Sequence, residues 1–392
     1  MSRLLGLGEG ARDLAGLLSL CAEGPVAWHV LEGLISDFWD DCQVLVEAGL
    51  VEAPSRGGPV RLLARQETRK LSLRGARGRK LQGRFIAYLL EQCRRVPSLG
   101  GLRESAYWLD LIPQLEELAG PLLAAVPSAE LGWPFVALSR LSEAQGDRPR
   151  AAFWSARAVA VLQARLGPEH LDTATAYNNL AAAYHQSGHY PQSEELYRYA
   201  LQVREKQLGP EHPYLVTVLT NLAGACRNQG KLQSSLDYLL RAAEIVGMER
   251  PESLPLMMQL AETYLRAEQM ELAASVCRRA LALVEKDDPN RSFILQSLAS
   301  VVHKSGQKSA GHSWMGEAVE LQRKFFGSQH PALATTLNNW GVLCYLDGDL
   351  ERSRQLLGEA LEIRRHALGA SNPETQATAA NLQAVSTPQE LR

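Results

Sequence analysis

The sequence lacks most of what a reactive site is built from. Its six cysteines stand at 21, 42, 93, 226, 277 and 344, and no two form a CxxC pair. That excludes a paired-cysteine metal site and reads as free thiols in a reducing cytoplasm. No HExxH and no GxSxG occurs, and no GxxxxGK[ST] phosphate loop. GARGRKL (75 to 81) has the wrong spacing for one, and SGQKS (305 to 309) falls at a turn of the pattern described below. No stretch reaches about 18 apolar residues, and the leucine-bearing start is broken by Glu9 and Asp13, so neither a membrane span nor a secretory leader is expected. Aromatic residues are only 6% of the chain, and its seven tryptophans do not cluster. Excess charge is missing too. A net charge of -2 argues against a wholesale nucleic-acid binder, although a local patch could still bind. What remains is apolar surface: 46% hydrophobic residues in 392 can bury a large core.

The dominant feature is repetition. LGPEH stands at Leu166 to His170 and again at Leu208 to His212, with a worn copy, FGSQH, at Phe326 to His330. It belongs to a longer pattern whose apolar marks are Leu138, Leu180, Leu222, Leu260, Leu298, Trp340 and Leu382, spaced by 42, 42, 38, 38, 42 and 42 residues. Gly146, Gly188, Gly230, Gly306 and Gly348 move in step with them, with Glu268 replacing glycine once; so do Ala158, Ala200, Ala242, Ala280, Ala318 and Ala360. Leucine, glycine eight later and alanine twelve after that predict a helix, a tight turn and a second helix. The alanine is small because the two helices must approach closely. Such hairpins stack, because one alone cannot bury its apolar face. The fold class is therefore all-α, a solenoid of stacked helix-turn-helix units.

LGPEH closes the second helix of one unit and opens the next. Its glycine ends a helix, its proline stiffens the exit, and its histidine caps or braces the connection. His170, His212 and His330 are accordingly structural, and no metal ligand is assigned. Where the spacing drops to 38, AEIVGMERPES and ALVEKDDPNRS place the shortening in the connectors between units. Glutamates such as Glu194, Glu195 and Glu262 read as a solvated face, and Trp340, replacing the repeat leucine, as core.

TATAYNNLAAAYHQSGHYPQSEELYRYALQVREKQLGPEHP, residues 173 to 213, resembles the tetratricopeptide repeat in its 42-residue kinesin-light-chain-like form. The resemblance covers residues 131–386, about six repeats with the last a single capping helix, and implies a right-handed α-solenoid; residues 387–392 are left as a tail. It also implies a protein or peptide ligand held in a concave groove lined by the first helices. Residues flanking the core leucine face that groove: Asn178, Asn179, Gln186, Asn221, Arg227, Asn228, Gln259, Glu262, Arg266, Lys304, Asn338 and Asn339. In kinesin-light-chain-like repeats the asparagine before the core leucine holds the backbone of a bound peptide. By resemblance that role falls on Asn179, Asn221 and Asn339, and the pattern departs at Gln259 and Ser297. Arg227, Arg266 and Lys304 recur near one register, five to six residues after the core leucine, which favours an acidic ligand or a solvated surface.

Residues 1–74 read differently. ARDLAGLLSLC, PVAWHVLEGL and SDFWDDCQVLVEAGLVE are three short helices, the third capped by Ser36, and SRGGPVRLLA suits a small hairpin. Three helices and a hairpin make a winged helix or another small helical fold. The third helix would be the reading helix, yet it carries Asp37, Asp40, Asp41 and Glu47, which phosphates would repel. The basic residues come later: Arg61, Arg65, Arg69, Lys70, Arg74, Arg77, Arg79, Lys80 and Arg84, running into a basic helical linker over 75–130. Nucleic acid, an acidic partner, an interdomain contact and plain surface are all open for them. A winged helix ending in EAGLVE, a hairpin, a basic helix and 42-residue repeats looks like the C-terminal half of signal-transducing NTPases of the STAND/NB-ARC type. The nucleotide-binding module of those proteins is absent, so the chain is either a fragment or a stand-alone relative.

The sequence thus reads as a non-enzymatic, cytoplasmic interaction or sensor module in signalling, with no cofactor. It binds a peptide or partner protein and offers apolar ends for self-association. The alternative is a transcription regulator whose N-terminal domain contacts DNA.

Overall fold

A computed structural model describes residues 7–21, 38–48, 50–52, 61–62, 75–97 and 106–386. The chain divides into two compact units, Met1–Gly209 and Pro210–Arg392.

The first unit opens with helices α1 (Glu9–Leu20) and α2 (Phe38–Glu47) and a short antiparallel ribbon, β1 (Val51–Glu52) with β2 (Arg61–Leu62), in which Val51 faces Leu62. The expected helix at 25–34 and its neighbours Ser36 and Asp37 lie outside the described residues. Helices α3 (Gly75–Arg95) and α4 (Ala106–Ala119) follow. Helix α3 is amphipathic: Phe85, Ile86, Leu89, Leu90 and Cys93 recur at helical spacing and are buried, while Arg79, Lys80 and Arg84 are exposed. Two hairpins complete the unit, α5 (Trp133–Ala144) with α6 (Arg148–Leu166), and α7 (Leu171–Gln186) with α8 (Tyr190–Leu208). One continuous core runs through it, from Leu14 of α1 and Leu45 of α2 through Phe85, Leu111 and Phe135 to Leu180.

The second unit holds four more hairpins and one unpaired helix. The hairpins are α9 (Leu215–Asn228) with α10 (Leu232–Val246), α11 (Leu254–Arg266) with α12 (Met270–Ala282), α13 (Pro289–Lys304) with α14 (Lys308–Phe326), and α15 (Pro331–Leu346) with α16 (Leu350–Leu368). The last helix is α17 (Pro373–Ser386).

The repeated positions behave alike. All six marked alanines, from Ala158 to Ala360, are at most 4% exposed, and Trp340 is as buried as a core residue. Five turn glycines, Gly146, Gly188, Gly230, Gly306 and Gly348, have φ between 76° and 91°. In the remaining hairpin Glu268 takes φ 58° and is the one positive-φ residue other than glycine among the described residues. The glycine of LGPEH is more demanding. Gly167 and Gly209 have φ 90° and 91° with ψ 162° and 161°, a region open essentially to glycine alone. The histidines cap: the Nδ1 of His170, His212 and His330 each accepts a backbone N–H two residues on at 3.1 Å, from Asp172, Tyr214 and Ala332. Asp288 and Asn372 do the same at two other connectors, accepting from Asn290 and Glu374.

The shortened repeats differ from expectation. The four full-length second helices have 19 residues each, whereas α10 has 15 and α12 has 13. The missing residues come out of the end of the second helix, four in α10 and six in α12, and not out of the connector. The loss falls after Ala242 and Ala280, which stay in the core. Glu194, expected on a wet face, is only 4% exposed and pairs with Arg198 one turn on.

Two outcomes follow from this backbone. Replacing Glu268 by glycine should raise the urea midpoint of unfolding, followed by helical ellipticity, by the equivalent of about 1 kcal/mol, because a left-handed non-glycine residue costs roughly that much; an unchanged or lower midpoint contradicts the assignment. Replacing His330 by alanine should cost about 1 kcal/mol in the same measurement, and His330→Asn, which keeps an acceptor, should cost a few tenths.

Candidate functional site

In the first unit, helices α5, α6 and α7 line two adjoining cavities of about 180 and 270 Å³. Both are lined by Val136, Arg140, Ala158 and Asn179, so they form one groove. Its apolar part is Trp133, Val136, Ala158 and Leu162, and Gln186 stands at the other end with Glu143 and Ala182. Of the expected groove residues, Asn179 and Gln186 therefore line a real cavity. Asn178 donates to the Asn179 amide oxygen at 3.5 Å and thereby helps to orient it. The groove also has members not foreseen: Trp133, Val136, Arg140 and Glu143. They sit in the most degenerate repeat, where the pattern carries no asparagine to mark them. Arg140 donates to the Val96 carbonyl at 3.0 Å. Burial pushes the Glu143 carboxyl up, and the nearby Arg140 guanidinium works against that.

In the second unit the marked residues are brought together as pairs. The Arg227 guanidinium lies 3.3 Å from Glu262 Oε2 and donates to Thr263 Oγ1 at 3.5 Å, and Arg266 donates to the other oxygen of Glu262 at 2.9 Å. Burial pulls the Arg227 pKa down, with Glu262 opposing. One carboxylate is thus shared by two arginines of successive repeats. Lys304 is exposed, whereas Asn221, Asn228, Gln259, Asn338 and Asn339 are half-buried. Asn338 donates to Asn339 at 3.3 Å and accepts from Asn381 at 3.0 Å. At Asn338 the asparagine ties neighbouring first helices to each other.

The basic segment is only partly described. Arg61 lies in β2, Arg77, Arg79, Lys80 and Arg84 are on α3, and Arg65, Arg69, Lys70 and Arg74 fall outside the described residues. The exposed Asp40 and Glu47 on α2 keep acidic charge on that helix.

One cluster has no counterpart in the sequence reading. His303 at the end of α13, His312 in α14 and Asp347 after α15 bring two imidazoles and a carboxylate together. The histidine nitrogens lie 2.6 and 2.8 Å from the same oxygen, Oδ2 of Asp347. The residues are 35 and 44 positions from Asp347 in sequence, a spacing that matches no ligand motif. Among the described residues, no helix is long and apolar enough to cross a membrane.

Models of the tetratricopeptide repeat match residues 173–214, 256–292 and 313–366. Over 112 residues the chain is 29% identical to the clustered mitochondria protein homolog of Neosartorya fischeri and 28% identical to that of Emericella nidulans. These matches take in 28% of this chain but only 8% and 9% of those proteins, so the chain spans less than a tenth of the curated relatives it matches. Among solved structures, a Signal Transduction ATPase with Numerous Domains protein with a tetratricopeptide repeat sensor, from Pyrococcus horikoshii, is 15% identical with a TM-score of 0.50, over 97% of this chain and 60% of that one. At that identity the likeness concerns the fold alone. Kinesin light chain repeats from Podosopora anserina are 23% identical with a TM-score of 0.45, over 48% of this chain and 93% of theirs. Helix pairs joined by positive-φ turns, stacked on small buried residues and matched by three repeat models, identify this part of the chain as tetratricopeptide repeats.

Proposed function

We propose that the chain is a non-catalytic interaction module of a signalling or regulatory system, and that the groove between α5 and α7 holds an extended segment of a partner protein. The observation that carries this reading is Asn179. It precedes the core Leu180 of its repeat and lines both halves of the groove. A carboxamide on a short stem offers a donor and an acceptor to a peptide unit whatever its side chains. Trp133, Val136 and Leu162 beside it suit one apolar side chain of the ligand. Arg140 and Glu143 give the groove both signs of charge, and Arg227 and Arg266 share Glu262. We therefore assign the ligand's recognition to its backbone and one apolar anchor, with acidic character secondary.

A library of random 12-residue peptides displayed on phage and selected on the full chain supplies the ligand, and calorimetry measures it. Asn179→Ala should weaken the selected peptide about three- to tenfold, the worth of one hydrogen bond. Val136→Arg, which fills the apolar half, should abolish binding, and helical content should be unchanged in both. If neither variant changes affinity while charge reversal at Arg79, Lys80 and Arg84 abolishes it, the exposed face of α3 is the contact and the groove reading is wrong.

A further inference from the structure

Asp347 occupies a position that disfavours a carboxylate. It caps the C-terminal end of α15, its N–H bonded to the carbonyls of Leu343 and Cys344, at the negative end of the helix dipole. Three groups hold it there. His303 Nε2 and His312 Nε2 approach Oδ2 at 2.6 and 2.8 Å, and Lys308 Nζ lies 2.5 Å from Oδ1. Burial alone would raise the Asp347 carboxyl; the contacts with Lys308, His303 and His312 outweigh it and hold the group below the usual carboxylate range.

Gly311 makes the gathering possible. A Cβ at that position would stand 3.0 Å from both the Ala299 carbonyl oxygen and the His303 Cβ, so a glycine lets α14 start closer to α13 than any other residue would. The two imidazoles then lie 5.6 Å apart and almost perpendicular. One ligating atom from each of His303, His312 and Asp347 falls within 4.8 Å of the others.

We propose that His303, His312 and Asp347 bind one zinc ion that staples two consecutive hairpins. Two imidazole nitrogens and one carboxylate oxygen suit zinc, with water completing the shell. Cys344 stands outside this set: its sulfur lies 4.0 Å from His312 Nδ1, on the side of the ring away from Asp347.

The hydrogen bonds state what zinc must displace. An indole N–H only donates, so the 2.9 Å bond from Trp340 Nε1 to His312 Nδ1 leaves that nitrogen without a proton. The His312 proton is then on Nε2, donated to Asp347, and His303 likewise donates from Nε2. Zinc needs both Nε2 lone pairs. Each ring therefore moves its proton from Nε2 to Nδ1, the Trp340 bond to His312 is lost, and Lys308, already 57% exposed, releases Oδ1 to solvent or metal. Trp340 and Lys308 are thus competitors of the ion, and their removal should strengthen binding.

The test uses the full chain, stripped with a chelator and titrated with zinc chloride against a chromophoric competitor, with the thermal midpoint read in parallel. The wild type should take up one equivalent and unfold at a higher temperature with zinc. Asp347→Asn and His312→Gln should weaken zinc more than tenfold, within the span typical of such sites, while Trp340→Phe and Lys308→Met should tighten it roughly threefold to tenfold. Lys308 is a surface residue, so its variant folds whatever happens at Trp340. The proposal is overturned if the wild type shows no zinc-dependent midpoint shift. It is equally overturned if zinc binds as tightly to Asp347→Asn and His312→Gln as to wild type, or if Lys308→Met weakens binding.

Discussion

The close approach of the two helices in each hairpin is the contact on which the rest of the structure depends. On the first helix the contact position after the core leucine is Ala181, Ala223, Ala261, Ala299 or Gly341, and on the second it is Ser193, Ser235, Ala273, Gly311 or Ser353, all buried. Ser193 and Ser353 do more than stay small: their hydroxyls donate to the carbonyls of Ala181 and Gly341 at 2.7 Å, which satisfies each buried group. At Gly341 a Cβ would lie 2.7 Å from Leu357 Cγ, so packing there leaves no room even for a methyl group. Interiors packed at this density transmit position, and each helix takes its place from its neighbour.

Both candidate sites are consequences of that packing. The groove of the first unit exists where small residues, Ala158 of α6 and Ala182 of α7, stand between larger ones. The histidine–aspartate cluster depends on the close approach of α14 to α13 at Gly311. Charge follows the same logic. Arg227 and Arg266 stand near the same register of successive repeats, but Glu262, one turn before Arg266, takes both. A repeating sequence position places a side chain on a face; it does not say which neighbour reaches it first.

Much of the fold was legible because it is a matter of local spacing. A left-handed turn needs glycine, and the glycine series marks five of the six turns, with Glu268 holding the same backbone sign in the other. LGPEH was legible as a helix stop and a helix start, and its histidines cap as the pattern implied. The site was less legible. Asn179 and Gln186 line a groove, but Trp133, Val136, Arg140 and Glu143, its other half, carry no repeat signature. Glu194 looked like surface because an acidic residue at a helical position usually is, and only the neighbouring Arg198 and the packing around it show why it is buried.

The sequence by itself determined the hairpins, their turns, their caps and the number of residues between them, because each of these is set by backbone conformation and by contacts a few residues apart. It also set the shortening by four, although only the structure shows that the second helix, and not the loop, gives up those residues. Only the tertiary structure decided which side chains from different hairpins meet. Asp347, His303 and His312 come together across more than thirty residues through helix stacking and one missing Cβ at Gly311, and contacts made by packing at that range leave no periodic trace along the chain.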